Sequence, residues 1–103
     1  MTQSPTDRLE TARAAVAQLV TDVRGEGRRG AFWLPRLLDL EADLARTDRP
    51  AEDTLTVGKQ HVDFLYSAPR DNFADFYLMN DAPDDPPGRF GATQDTLRKA
   101  VGD

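Results

Sequence analysis

Cysteine is absent from this 103-residue chain, and histidine occurs only once. The lack of cysteine excludes disulfides, thiolate zinc sites and thiol nucleophiles together. A single histidine excludes most metal sites that are built from imidazoles. Isoleucine is also absent, which leaves 11 leucines, six valines and five phenylalanines as the main large apolar residues. The fraction of large apolar residues lies just above the level below which chains are usually disordered, so we expect a folded chain with a small core.

Long apolar runs are also absent. No stretch of about 18 apolar residues occurs, and no charged start precedes an apolar segment, so we expect neither a membrane span nor a secretory signal. With no cysteine used, a cytoplasmic protein is the expectation. Two domains would leave each half too small to bury a core, which predicts one domain over residues 1–103. Arginine outnumbers lysine 11 to two, which is typical of proteins encoded by bacterial genomes of high GC content.

The negative charge is unevenly distributed. The net charge of −5 lies wholly in residues 51–103, because residues 1–50 hold eight basic and eight acidic side chains. Five aspartates with no base among them fall within residues 71–85. Such a field repels phosphate backbones and attracts basic protein surfaces, so we expect a basic protein partner and no direct binding of nucleic acid.

Helical periodicity dominates the first half. Ser4 and Pro5 predict the start of a first helix, and its apolar stripe runs from Leu9 to Val23 with spacings of three and four. Gly25 is a suitable stop, and the glycine- and arginine-rich residues 25–30 predict a solvated connection, with anion binding as the rarer alternative. A second helix is predicted from Leu34 to Arg46, with Trp33, Leu37, Leu40 and Leu44 on one face.

The third segment allows two interpretations. Asp48 ahead of Arg49-Pro50-Ala51-Glu52 predicts a helix start, and Leu55, Gly58, Val62 and Leu65 continue a helical spacing. The alternative is a β-hairpin over residues 54–66, because Gly58 weakens a helix by about 1 kcal/mol and β-formers follow it. Residues 80–92 predict irregular structure, and a last helix is expected from Thr93 to Val101. The sequence therefore favours a mainly α fold, a small bundle of three to four helices with a Pro/Asp-rich loop before the last one.

Catalytic and metal-binding patterns are weak. His61, Asp63 and Ser67 lie close in sequence, but no glycine frames the serine as in a nucleophile elbow. Asp81, Asp84 and Asp85 lack the spacing of a calcium loop. We therefore predict no catalytic residues, no metal and no cofactor.

The acidic and aromatic residues 71–85 are the strongest candidate for a binding site. Carboxylates steer a basic partner over long range, and aromatic side chains anchor it at short range. The predicted partner-binding residues are Asp71, Asp75, Phe76, Tyr77, Asp81, Asp84 and Asp85. The alternative is structural: Phe73, Phe76 and Tyr77 close the open end of the helical core, and the aspartates keep the loop soluble.

Three segments in order carry a resemblance: a helix with Trp33, Leu37, Leu38 and Leu44, then Asn72-Phe73-Ala74-Asp75-Phe76-Tyr77-Leu78, then Leu97-Arg98. The arrangement resembles an uncharacterised family of short, acidic, helical bacterial proteins over about residues 30–100. The chain departs from that pattern at Ala74, where a polar residue is expected, and in Ala68-Pro69-Arg70-Asp71, where glycines are expected. The resemblance implies no activity. In size, acidity and helical character alone, the chain is also similar to bacterial toxin-immunity proteins.

Three functions follow as hypotheses. The first is a non-catalytic module that binds a basic protein partner, such as a toxin-immunity or regulatory protein. The second is a small-molecule-binding or enzymatic domain with a pocket that contains Trp33, His61, Asp63 and Tyr66. The third is a homodimeric module in which the apolar stripe of the first helix pairs with its copy.

Overall fold

The computed structural model describes residues 4–67, Phe73 and residues 88–102, with the backbone alone for residues 88 and 89. This part of the chain holds four α-helices, a 3-10 helix and no strand. The helices are α1 (Pro5–Arg24), α2 (Leu34–Leu44), α3 (Ala51–Leu65) and α4 (Gly88–Val101), with the 3-10 helix at Gly27–Gly30. The predicted small, mainly α bundle is confirmed.

The start of α1 follows from its first residues. Ser4 has an extended backbone, and its Oγ accepts a hydrogen bond of 3.2 Å from the Asp7 N–H. That bond satisfies one of the amide donors which every helix leaves unpaired in its first turn. Pro5 needs no such partner, and Gly25 caps the other end, as the sequence predicted.

The connection from α1 to α2 is ordered by close packing. The 3-10 helix brings Gly30 so near α1 that a Cβ there would lie 2.4 Å from the Val23 carbonyl oxygen. Arg29 forms an ion pair of 2.6 Å with Glu26, so this arginine is not available as a free anion ligand. The α2 helix ends at Leu44, two residues before the predicted end. Arg13 of α1 donates hydrogen bonds to the carbonyl oxygens of Leu44 and Arg46 and so caps that end.

The hairpin over residues 54–66 is wrong, because α3 is a continuous helix from Ala51 to Leu65. Gly58 is buried at its close approach to two neighbouring helices: a Cβ there would lie 2.8 Å from Leu44 Cδ2 and 3.4 Å from Val101 Cγ1. The glycine therefore marks helix packing and not a turn. The helix start predicted after Asp48 is confirmed, although Pro50 occupies the cap and Asp48 pairs with Arg46.

The last helix is longer than predicted. α4 begins at Gly88, so the expectation of irregular structure is wrong for residues 88–92. Phe90 explains the difference. Its side chain is buried and its ring centroid lies 5.6 Å from that of Phe73, so the first turn of α4 docks on the core. Burial of an aromatic ring offsets the poor helix propensity of Gly88 and Gly91.

The core forms around α1, which contacts all three other helices and packs most extensively against α4. Its stripe is buried along its whole length, at Leu9, Ala12, Ala15, Val16, Leu19, Val20 and Val23. The apolar stripe of α1 is therefore not free to pair with its copy, because the chain's own helices cover it, and the homodimer itself stays a prediction.

Candidate functional site

The predicted partner-binding residues lie outside the described residues: Asp71, Asp75, Phe76, Tyr77, Asp81, Asp84 and Asp85. Phe73, from the same stretch, is described and fully buried. Its ring centroid lies 5.2 Å from that of Trp33 and 6.0 Å from that of Tyr66. Phe73 therefore closes the end of the core, as the structural alternative predicted for it.

The residues of the second hypothesis lie in different parts of the structure; they are Trp33, His61, Asp63 and Tyr66. Trp33 and Tyr66 lie against Phe73, and the Tyr66 hydroxyl donates a 2.6 Å hydrogen bond to Gln94 Oε1. Burial raises the pKa of Tyr66, although the Arg98 guanidinium over its ring acts in the opposite direction. Asp63 is exposed and pairs with Lys59 at 3.6 Å. His61 instead lines a groove that none of the other three lines, so this groove does not bring the four residues together.

His61 ties α3 to α2. Its Nε2 lies 2.6 Å from Asp43 Oδ2, and both side chains are half-buried. Arg49 supports the same carboxylate at 3.7 Å, donates to the Asp43 carbonyl oxygen and donates to Thr54 Oγ1. The hydroxyl of Ser67 is engaged elsewhere, as a donor to the Phe64 carbonyl oxygen. The structure therefore does not bring His61, Asp63 and Ser67 together. The partner of His61 is Asp43, on the neighbouring helix α2.

A groove of about 330 Å³ runs between α2 and α3. Arg36 and Asp39 form the α2 wall, and Gln60, His61, Phe64 and Leu65 form the α3 wall. Leu65 is buried in the core, and the ring of Phe64 stands at the edge of the groove with 61 % of its surface exposed. The groove therefore has an apolar base and an aromatic rim.

Two large apolar side chains stand exposed in the described part of the chain, and they lie on one surface. Phe32 is 58 % exposed and Phe64 is 61 % exposed. The Arg36 guanidinium carbon lies between them, 3.8 Å from the Phe32 ring centroid and 6.0 Å from that of Phe64. Arg36 also donates a 2.6 Å hydrogen bond to the Phe32 carbonyl oxygen. We call Phe32, Arg36 and Phe64 the aromatic face.

The segment that contains α2 and α3 is acidic overall. Residues 34–65 hold four basic side chains against seven acidic ones, whereas those of α1 balance. Asp43 is engaged by His61 and Arg49, and an exposed ion pair with Arg46 lowers the pKa of Asp48. Asp39 lines the groove and has no ion pair or hydrogen bond with its side chain among the described residues.

Sequence reasoning missed the aromatic face, although a signal for it exists. Arg36, Asp39 and Asp43 follow spacings of three and four, which places them along one side of α2. Phe32 lies in the turn just before that helix. Phe64 lies off the apolar stripe of α3, which runs through Val62 and Leu65. A phenylalanine off the apolar stripe of an amphipathic helix points to an exposed aromatic ring.

Within residues 4–67 and 88–102, no helix is long and apolar enough to cross a membrane. The same residues contain no group of three or more potential metal ligands from histidine, aspartate and glutamate. Comparisons with protein-family models, with curated proteins and with solved structures found no match.

Proposed function

We propose that this chain is a non-catalytic protein-interaction module that binds a basic protein partner through α2 and α3. The observation that carries the proposal is the aromatic face, with two exposed phenylalanines on either side of one arginine. Scattered single exposed apolar residues are normal on a protein surface, but a contiguous patch marks an interaction site.

The composition of this surface supports a protein as the ligand. Aromatic residues and arginine are enriched at protein–protein interfaces and supply most of their binding energy. Arg36 is held by its hydrogen bond and by the Phe32 ring, so less side-chain entropy is lost when a partner covers it.

The charge of the same helices supports a basic partner. Residues 34–65 have three more acidic than basic side chains, and the whole chain has a net charge of −5. An acidic surface accelerates the encounter with a basic one, and salt weakens this effect. Proteins that act on nucleic acid, bacterial toxins among them, are one class of basic partner.

The test is a selection followed by a titration. Fragments encoded by the genome that carries this chain are displayed and selected on the immobilised wild-type protein, with counter-selection on Phe32→Ser/Phe64→Ser. We expect the selected fragments to carry net positive charge and their association rate to fall as salt rises. The dissociation constant of a purified fragment should increase about tenfold or more on the double variant, as for interface anchors.

The matched control is Glu10→Lys, which changes an exposed charge on α1, away from the aromatic face. Binding to this variant should stay within about twofold of wild type. Selected fragments that are acidic, or that bind Phe32→Ser/Phe64→Ser as tightly as wild type, contradict the proposal.

The His61–Asp43 pair favours a second candidate, a small-molecule-binding domain. His61 lines the groove with a carboxylate behind its imidazole, and Gln60 adds a polar group beside it. The groove volume of about 330 Å³ lies at the lower end of the roughly 300–1,000 Å³ typical of ligand pockets. A metabolite screen by thermal shift tests this function, and a true ligand should raise the Tm of the wild type but not of His61→Ala.

A further inference from the structure

The groove between α2 and α3 has the features of a site for one partner element. We infer that it takes an amphipathic helix of the basic partner, with an apolar side chain against Phe64 and a lysine or arginine at Asp39. This inference rests on the proposed function and specifies the partner's chemistry at that site.

The apolar contact follows from the walls of the groove. Leu65 is buried in the core, and Phe64 stands 61 % exposed at the rim. A side chain placed against the Phe64 ring would cover its exposed apolar surface, which is the contact that anchors an interface. The groove volume of about 330 Å³ accommodates side chains and not a whole domain.

The basic contact follows from the charges along α2. Arg36 is engaged by the Phe32 ring and carbonyl, and Asp43 is engaged by His61 and Arg49. Of the charged side chains that line the groove, Asp39 is the one without a partner among the described residues. A cation from the partner is therefore the charge complement of this position.

The helical form follows from the place of the groove, which lies between two helices. Phe64 lies next to Arg36, and Arg36 and Asp39 are three residues apart on α2, which is about one helical turn. The partner's apolar residue and its base must reach Phe64 and Asp39 from one face. Residues three or four apart on a helix meet this condition, and a helix laid along the groove between two helices is a common mode of peptide recognition.

The test uses a display library of helical peptides of about 18 residues, a length at which an isolated helix becomes stable in water. One face of each peptide is randomised, and selection is run on wild type and on Asp39→Lys. Wild type should enrich lysine or arginine three or four positions from an apolar residue. Asp39→Lys should enrich aspartate or glutamate at that same position.

A selected peptide is then titrated against single variants. The dissociation constant should rise about tenfold or more on Phe64→Ala and on Asp39→Lys, and stay within about twofold on Glu10→Lys. Amide NMR shifts should locate the bound peptide along α2 and α3, and circular dichroism should show that it gains helix on binding.

The results that would contradict this inference can be distinguished from those that would contradict the proposed function. If the genome-encoded fragments need Phe32 and Phe64 but the selected charge does not change with Asp39→Lys, the inference fails and the proposed function stands. Tight binding to Phe64→Ala, or a bound peptide without helix, also overturns the inference. If the wild type alone sediments as a dimer and Phe64→Ala sediments as a monomer, then a second copy of the chain occupies the groove.

Discussion

At the scale of single residues, two glycines with different surroundings predict opposite responses to the same substitution. A Cβ at Gly30 would lie 2.4 Å from the Val23 carbonyl oxygen and 2.6 Å from Val23 Cγ1, so the backbone must shift to admit it. A Cβ at Gly25 meets nothing closer than 3.4 Å, and its φ of −64° suits alanine.

We therefore expect Gly30→Ala to lower the free energy of unfolding by about 2–3 kcal/mol. Gly25→Ala should leave it unchanged or raise it by about 0.5 kcal/mol, because alanine restricts the unfolded chain. Urea denaturation measures both variants. Equal effects at the two positions would contradict the close packing of the 3-10 helix on α1.

Tyr66 predicts how stability changes at high pH. Its pKa is raised chiefly by burial, so above the ordinary tyrosine pKa of about 10 the folded chain keeps a proton that the unfolded chain loses. The unfolded state then binds fewer protons than the folded state, and stability falls as pH rises, by up to about 1.4 kcal/mol per pH unit.

The variant Tyr66→Phe removes this titration together with the hydrogen bond to Gln94. We expect it to be less stable at neutral pH by about 1 kcal/mol and to lose less stability than wild type between pH 10 and 11. Denaturation curves at several pH values test the difference. Parallel losses in both proteins would show that other groups set the alkaline limit.

At the scale of helices, local patterns predicted the beginnings of elements better than their ends. Ser4 and Pro5 act within one turn of α1, so the sequence carries the whole signal for that start. The end of α2 depends on Arg13, which is 31 residues away from Leu44. The length of α4 depends on the docking of Phe90 against Phe73. Periodicity within a segment contains neither of these contacts.

The same reasoning explains what was missed at the site. Asp43 and His61 are 18 residues apart and meet because α2 and α3 pack side by side. Asp63, the nearer carboxylate in sequence, points elsewhere because residues two apart on a helix face different directions. The aromatic face left a local signal in the position of Phe64, off the apolar stripe of α3. The predicted acidic site at residues 71–85 remains a prediction.

Capping between helices gives a prediction at this scale. Arg13 donates to two carbonyl oxygens beyond its own helix, and Arg13→Met keeps the length of the side chain but removes the donors. We expect the variant to lose about 1–2 kcal/mol of stability. Arg24→Met, an exposed arginine at the end of α1, is the matched control and should change stability by about 0.5 kcal/mol or less. Similar losses in both variants would contradict a specific cap.

At the scale of the whole molecule, Phe73 connects three helices. Its ring contacts Trp33 before α2, Tyr66 after α3 and Phe90 in α4, and it is fully buried. Truncation of a buried phenylalanine costs about 3–5 kcal/mol, a large part of the 5–15 kcal/mol typical of a whole domain. Phe73→Ala should therefore shift the urea midpoint far downward, as followed by the fluorescence of Trp33.

The exposed phenylalanines provide the control for this experiment. Phe32→Ala and Phe64→Ala should change stability by about 0.5 kcal/mol or less, because both rings are more than half exposed. A large loss in either variant would assign these rings to the core and remove the basis of the aromatic face.

The pairing of α1 with α4 has a consequence for how the protein is made. α1 is translated first, yet its most extensive partner is the last helix, and Arg8 donates to the carbonyl oxygen of Ala100, 92 residues later. On the ribosome, the part of the α1 stripe that packs against α4 therefore stays exposed until α4 emerges from the exit tunnel, although α2 and α3 can already cover the rest. Nascent chains that stop before α4 should bind chaperones, and those that include it should not.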